Sequence, residues 1–190
     1  KMIRLIRQYD GASELRDMFA QGGPHEKKNL ANAYFHDAIL EEETAPWLWT
    51  PLTYAIKIGA FEIVHMLLTE NKDFTVDANL ASIKFNRIPD MVADTNWMPL
   101  KVALEEARTT RRMGFEAIKL LRVHGANPHF PDYKTGTTIL ESARQMVWSE
   151  DKAENARLMS QVESLLTAGR VTQEQPGSPM RIVPNPILTT

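Results

Sequence analysis

Histidine side chains are the residues of this sequence best suited to metal or proton chemistry, and two of them lie close together. His124 and His129 flank the sequence Gly-Ala-Asn-Pro at 125–128, and Asp132 follows three residues later. A protein zinc site needs at least three ligands held in a fixed geometry, and nothing fixes a third ligand near this turn. We therefore predict no metal site.

The sequence also lacks the residue patterns of the common catalytic sites. It contains no cysteine, which excludes a cysteine nucleophile, thiolate metal ligands and disulfide bonds. No Ser-His-Asp arrangement, glycine-rich phosphate loop or dinucleotide fingerprint can be assembled. The acidic run at 41–43 is more typical of a solvated helix end than of a paired acid and base. We predict no catalytic residues, no cofactor and no enzyme activity.

Composition restricts the classes of partner. The 190 residues include 22 Lys+Arg and 24 Asp+Glu, a net charge of −2, so the chain lacks the basic excess of proteins that neutralise phosphates. No apolar run approaches the roughly 18 residues of a membrane span, and the first residues do not resemble a secretion signal. We expect a globular, cytoplasmic protein that binds neither nucleic acid nor a membrane.

Charge is nevertheless uneven along the chain. Residues 101–125 carry six basic side chains and three acidic ones, a local charge of +3. Most such runs are solvated faces. The alternative is that Arg108, Arg111 and Arg112 steer an acidic partner onto the surface that presents them.

The elements that position these residues repeat along the chain. The sequence Trp-Thr-Pro-Leu at 49–52 recurs as Trp-Met-Pro-Leu at 97–100, and a third copy begins with Thr-Thr-Ile-Leu at 137–140. An alanine follows at the same distance each time, and a pair of leucines comes later in each copy. Such self-similarity is the signature of a repeat architecture.

Each copy has the features of a helical hairpin. Thr50 is a good N-cap, and the proline after it fits the first helical turn. Gly59 is expected to end this helix, and an apolar stripe at 63–68 has the spacing of a second helix. Gly125 and Gly169 follow the second helices of the later copies, where a left-handed C-cap is expected. We assign the core to twelve residues: Leu52, Ala55, Ile63, Val64, Leu67, Leu100, Ala103, Ile118, Leu121, Leu140, Ala143 and Leu166.

These motifs resemble the ankyrin repeat, whose pattern is Thr-Pro-Leu-His-x-Ala with a period of about 33 residues. The resemblance covers 49–73, 96–129 and 136–169. It implies an all-α, ankyrin-like solenoid of helical hairpins, here with long irregular finger and loop insertions. It also implies a non-catalytic module that binds a partner protein through its concave surface.

This chain departs from the family pattern in two ways. The histidine of the motif is replaced by Thr53, Lys101 and Glu141, so the hydrogen bonds it makes between repeats must be replaced or lost. The copies are 48 and 40 residues apart, so each contains insertions. The insertion at 105–112 is expected to lengthen the first helix or the inner turn, and another surrounds Trp148.

The predicted organisation is one repeat domain at 1–169, followed by a proline-rich tail at 170–190. Within the domain we expect an N-terminal cap or degenerate repeat at 1–23 and a connecting insertion at 24–48. Repeats are then expected at 49–95, 96–132 and 133–169.

The resemblance implies that the partner contacts the fingers and the exposed side of each first helix. Carried over by position, and with the arginines of the insertion added, the predicted partner-binding residues are Lys57, Ile58, Trp97, Glu105, Arg108, Arg111, Arg112, Tyr133, Lys134 and Gln145.

Three alternatives remain open at this point. The array is a regulatory or targeting segment of a larger enzyme, or of a bacterial effector acting in the cytosol of a eukaryotic host cell. Its insertions host a small-molecule or catalytic site lined by Glu105, Glu106, a histidine or Trp148. Finally, the run from Pro176 to Arg181 has the Pro-x-x-Pro-x-Arg spacing that SH3 domains bind.

Overall fold

The structure is a computed structural model and describes residues 2–8, 11–36, 47–70, 75–84, 94–132 and 135–168. Several predicted features lie outside these ranges. They are Tyr133 and Lys134, the acidic run at 41–43, Gly169, and the tail at 170–190 with its proline motif.

Most of the described chain is helical, as the sequence predicts. The helices are α1 (Met2–Arg7), α2 (Gly11–Gln21), α3 (Pro24–Ala31), α4 (Pro51–Lys57), α5 (Phe61–His65), α6 (Pro99–Thr109), α7 (Arg111–Val123), α8 (Ile139–Gln145) and α9 (Lys152–Thr167). A π-helical turn, Met66–Glu70, extends α5. The insertion at 105–112 lengthens the first helix of its unit, because α6 has 11 residues whereas α4 and α8 have 7 each.

The caps predicted at Thr50, Gly59 and Gly125 are present, and α8 has a further N-cap, at Thr138, that the sequence analysis did not predict. Thr50 accepts a hydrogen bond from the N–H of Thr53, with Pro51 in the first turn of α4. Thr138 forms a capping box with Glu141 at the start of α8. Gly59 and Gly125 have φ values of 72° and 86°, in the left-handed region that favours glycine at the end of a helix.

The connecting segments form a small antiparallel sheet, which the all-α prediction did not include. Its strands are β1 (Phe35–His36), β2 (Trp47–Trp49), β3 (Ser82–Lys84) and β4 (Asp94–Trp97), paired in the order β1-β2-β3-β4. The pairing of β2 with β3 joins one connecting segment to the next, with Leu48 opposite Ile83. Such pairing satisfies backbone groups that an irregular loop would leave to water.

Helix pairs pack against one another in chain order. Helices α4, α6 and α8, the first helices of the three predicted repeats, contact one another in that sequence, and so do their second helices α5, α7 and α9. The pair α1 and α2 packs on α4 and α5 in the same way. All twelve residues assigned to the core are buried, and they belong to one continuous cluster.

Two asparagines tie successive loops together with the same pair of hydrogen bonds. The Oδ1 atom of Asn32 accepts a hydrogen bond from the N–H of Asp77 at 2.8 Å. The Nδ2 atom of Asn32 donates to the carbonyl of Thr75, two residues before Asp77, at 3.2 Å. Asn79 repeats this arrangement with Asn127, at 2.7 Å and 3.1 Å. The loops of consecutive units are therefore held at a fixed spacing.

Helices α6 and α7 approach closely at one glycine. A Cβ atom placed on Gly114 would lie 2.3 Å from the Cα of Ala107, closer than real Cβ contacts allow. Because the obstacle is backbone, rotation of a side chain cannot relieve the clash.

We expect Gly114→Ala to destabilise the fold by about 1–3 kcal/mol, the usual cost of overpacking. Helix propensity alone would predict the opposite change in stability, because Ala is favoured over Gly in a helix by about 1 kcal/mol. Urea unfolding followed by circular dichroism measures the change.

Gly22→Ala is the matched control, since a Cβ there would lie 3.6 Å from the side chain of Glu26, an ordinary contact. We expect it to change stability by less than about 0.5 kcal/mol. A Gly114→Ala variant as stable as the parent would contradict the close crossing of α6 and α7.

Candidate functional site

Lys57, at the end of α4, links two neighbouring units. Its Nζ lies 2.9 Å from Glu106 Oε1 on α6 and 5.6 Å from the ring centroid of Trp97 at the end of β4. The charge is therefore shared between a carboxylate and an aromatic face. Both partners belong to the next unit along the chain, so this contact joins α4 to that unit.

The ring of Trp97 is the first of three aromatic rings that contact one another in turn. Its ring meets Trp49 edge-on at a centroid distance of 5.9 Å, and Trp49 meets Tyr54 in the same way at 5.9 Å. Trp49 is buried and Trp97 is half-buried. The tryptophans that open the first two predicted repeats therefore differ, since Trp49 is enclosed and part of Trp97 reaches the surface.

Lys101 fixes α6 to the loop before α8. Its Nζ lies 2.8 Å from Asp132 Oδ2, and the other carboxylate oxygen of Asp132 accepts the N–H of Thr135 at 3.2 Å. Asp132 is buried, so this ion pair is better shielded from water than those on the surface. It joins α6 to the loop before α8, as the Lys57–Glu106 pair joins α4 to α6.

Glu105 lies between these two ion pairs and is half-buried. Burial raises the pKa of its carboxyl, while the positive charges of Lys101 and Lys57 partly offset the rise. In the described part of the chain no hydrogen bond or ion pair engages its carboxylate. Glu105 is thus a partly dehydrated acceptor that is available to a ligand.

Lys57, Glu105 and Gln145 occupy the same position in three successive units. Each lies two residues after the alanine that recurs in the three copies. The helices that carry them, α4, α6 and α8, contact one another in chain order. We call these three residues the inner row. Gln145 is exposed at the end of α8.

The other predicted partner-binding residues differ in their surroundings. Arg108 and Arg112 are exposed, and Ile58 is half-buried against the core. Arg111 forms an ion pair with Glu154 of α9 at 2.5 Å, which gives it a part in joining helix pairs. Tyr133 and Lys134 lie outside the described residues, so the contribution of this finger stays a prediction.

Sequence reasoning named Glu106 and Asp132 in other roles and missed that they are the partners of Lys57 and Lys101. A signal for Glu106 was present: it occupies the position of Ile58 and Met146 in the neighbouring repeats, where those residues are apolar. A charge at an otherwise apolar repeat position indicates a specific partner nearby. Asp132 carries no comparable signal, because the loop that contains it has no regular counterpart.

The described residues contain no cluster of three or more His, Asp or Glu side chains able to hold a metal ion. Within the same ranges, no helix has the length and apolar character needed to cross a membrane. The sequence matches no protein-family model, and no curated protein or solved structure matches it either. The geometry of the surface therefore carries the functional argument.

We expect Glu105→Gln to be more stable than the parent near pH 7. An acid whose pKa is raised on folding destabilises the folded state as it ionises, so the penalty is absent below its unfolded pKa and grows as pH rises. The difference in free energy of unfolding between variant and parent should increase from about pH 4 upward and then level off.

Chemical denaturation at several pH values measures this difference. The lowered pKa of Glu70, which is caused chiefly by its hydrogen bond to Arg16, favours the folded state at higher pH in both proteins and cancels in the comparison. A difference that shrinks as pH rises would show that the neighbouring lysines outweigh the burial of Glu105.

Proposed function

We propose that this chain is an ankyrin-like array of helical hairpins that acts as a non-catalytic protein-binding module. The inner row and the half-buried ring of Trp97 form the centre of the binding surface. One observation carries the proposal: Lys57, Glu105 and Gln145 recur at one repeat position on three first helices that contact one another in order. Stacking of this kind brings equivalent side chains of separate units onto one surface.

Several local features support the ankyrin-like assignment. Helix α4 begins at a capped Thr-Pro pair and ends before the left-handed Gly59, and α8 ends at the extended residue Met146. Asn32 and Asn79 hold successive loops with equivalent bonds. The antiparallel strands lie where the family places its fingers.

The histidine that the family motif carries is replaced here by residues that make contacts of their own. Thr53 is buried, with its hydroxyl 2.7 Å from that of Thr50. Lys101 reaches Asp132, and Glu141 caps α8 by accepting from the N–H of Thr138 at 2.7 Å. Only Lys101 leaves its own helix and reaches toward the next unit, whereas Thr53 and Glu141 stabilise the first turn of the helix that contains them.

The chemistry of the surface favours protein recognition over catalysis. Trp97 supplies rigid aromatic area, Glu105 an unengaged acceptor, and Gln145 an exposed amide with both donor and acceptor atoms. Lys57 is already held by two contacts, so docking would order few additional rotamers. A partner therefore meets a surface whose central groups are largely in place.

The inner row can be tested with a double substitution, Glu105→Arg/Gln145→Arg. Partners are captured from a cell lysate with the parent protein and identified by mass spectrometry. The one retained most strongly is purified, and its affinity is measured by titration calorimetry. Two bulky cations at the centre of the surface should weaken binding at least tenfold, a loss of about 1.4 kcal/mol or more.

Glu150→Arg/Gln161→Arg is the matched control. It makes the same substitutions at two exposed positions of the last unit that do not belong to the inner row. We expect its affinity to stay within about twofold of the parent, a difference well under 1 kcal/mol. Equal affinity of both variants, or equal loss in both, would refute the inner row as the binding surface.

A further inference from the structure

Arg122, in the last turn of α7, is a buried cation without a counter-ion among the described residues. Only 6% of its surface is exposed. Its Nη1 donates to the carbonyl of Ala126, and no described carboxylate forms an ion pair with it. Burial lowers the pKa of this guanidinium, and no described carboxylate offsets that effect. A charge taken out of water is costly unless an anion and further hydrogen bonds compensate it.

Two nitrogen atoms of Arg122 lack an acceptor. Its Nε is fully enclosed and has no hydrogen-bond partner. Its Nη2 likewise donates to no described residue, but this atom is not enclosed. Nε and Nη2 form one edge of the planar guanidinium, and such an edge can hold a carboxylate with two parallel hydrogen bonds. Arg122 is therefore suited to one carboxylate that approaches from the side of Nη2.

The face of α7 that carries Arg122 is turned toward the last helix pair. Positions 111, 115, 118 and 122 follow one another at intervals of four, three and four, which places them on one side of the helix. Arg111 meets Glu154, in the first turn of α9, at 2.5 Å. The ring of Phe115 meets that of Trp148 at a centroid distance of 6.4 Å. Arg122 shares this face, so its side chain is directed toward α9.

The register of α7 and α9 places Arg122 beside the end of α9. Arg122 follows Arg111 by eleven residues, or about 16 Å along a helix. The same distance from Glu154 leads to Leu165, and α9 ends at Thr167. Both helices begin at the Arg111–Glu154 contact and pack against each other, so their ends lie side by side. The negative ends of two helix dipoles offset part of the charge of Arg122.

The chain leaves the last helix at this place, which brings its own tail within reach. The tail at 170–190 contains one acidic side chain, Glu174, six residues after Ala168. Six extended residues span up to about 20 Å, whereas neighbouring helix axes are about 8–10 Å apart. Two acids of α9 are already engaged, Glu154 by Arg111 and Glu163 by Arg144.

We propose that the tail folds back over the ends of α7 and α9, where the carboxylate of Glu174 binds the guanidinium of Arg122. The ion pair supplies the anion that the buried charge lacks. The proline-rich run from Pro176 to Arg181 begins two residues later, so the same contact fixes where that run leaves the repeat domain. This inference does not involve the inner row.

Two other sources of an anion fit less well. One is a carboxylate of a partner protein, and the other is a free oxyanion such as phosphate. Both must compete with a tethered carboxylate, whose effective concentration over a short linker is on the order of millimolar. The tail therefore has the advantage in binding Arg122.

Trypsin cleavage after Arg170 tests the contact in the full chain. This bond lies between the end of α9 and Glu174, so docking of Glu174 shields it. We expect Glu174→Gln and Arg122→Leu each to speed cleavage there at least tenfold, as followed by mass spectrometry. The double variant should be cut within about twofold of either single variant, because each substitution removes the same contact.

Urea unfolding supplies a second readout. Glu174→Gln leaves the buried charge unpaired, so it should raise the unfolding equilibrium constant of the parent at least fivefold. In the Arg122→Leu background the same substitution should change that constant less than twofold. If Arg122→Leu does not fold, Glu174→Gln still decides, since it alters no residue of the described core.

Glu150→Gln is the matched control, since it makes the same substitution at an exposed position of the last unit. It should be cut and should unfold as the parent does. Equal acceleration in this control would mean that net charge governs cleavage. Cleavage of Glu174→Gln at the parent rate would mean that the tail does not dock through this residue. Either result overturns the proposal.

The other two anion sources are separate outcomes of the test. If about 10 mM phosphate raises the melting temperature of the parent but not that of Arg122→Leu, a free oxyanion is the occupant. If a captured partner loses affinity with Arg122→Leu and is indifferent to Glu174→Gln, the partner supplies the carboxylate. Both outcomes overturn docking of the tail and leave the function proposed for the inner row untouched.

Discussion

The structure depends on burial that no helix pair can achieve by itself. In α4, every residue from Pro51 to Ile56 is buried, so this helix has no face toward solvent along most of its length. It is covered by α1, α5 and α6, which belong to three different pairs. A helix of 7 residues is far too short to be stable alone in water. Its existence is therefore a consequence of stacking, and the same holds for α8.

Polar contacts between the pairs contribute little energy and link neighbouring pairs at several points. Arg16 of α2 meets both oxygens of Glu70, at 2.5 Å and 2.9 Å, and Lys57 and Lys101 make equivalent links further along the array. Exposed ion pairs are worth at most about 1 kcal/mol. Together with the asparagine bonds they join each pair to the next one along the chain.

The sequence predicted features that depend on local chemistry. Thr50, Gly59 and Gly125 act within one turn of helix, and the apolar spacing that marks the core is likewise a local pattern. The small sheet and the pairing of Lys57 with Glu106 depend on segments brought together by the fold, so no local signal specified them. Helix α3 was missed because its sequence has a weak apolar pattern and only Ala31 is buried.

The central claim is that stacked pairs align Lys57, Glu105 and Gln145 in one row. Because the chain contains no cysteine, Lys57→Cys/Gln145→Cys accepts two spin labels at the ends of that row and nowhere else. Two helix-to-helix steps of about 8–10 Å separate these sites, so pulsed electron paramagnetic resonance should give one narrow distance distribution centred near 20 Å. A broad distribution, or a centre beyond about 35 Å, would mean that α4, α6 and α8 are not stacked side by side.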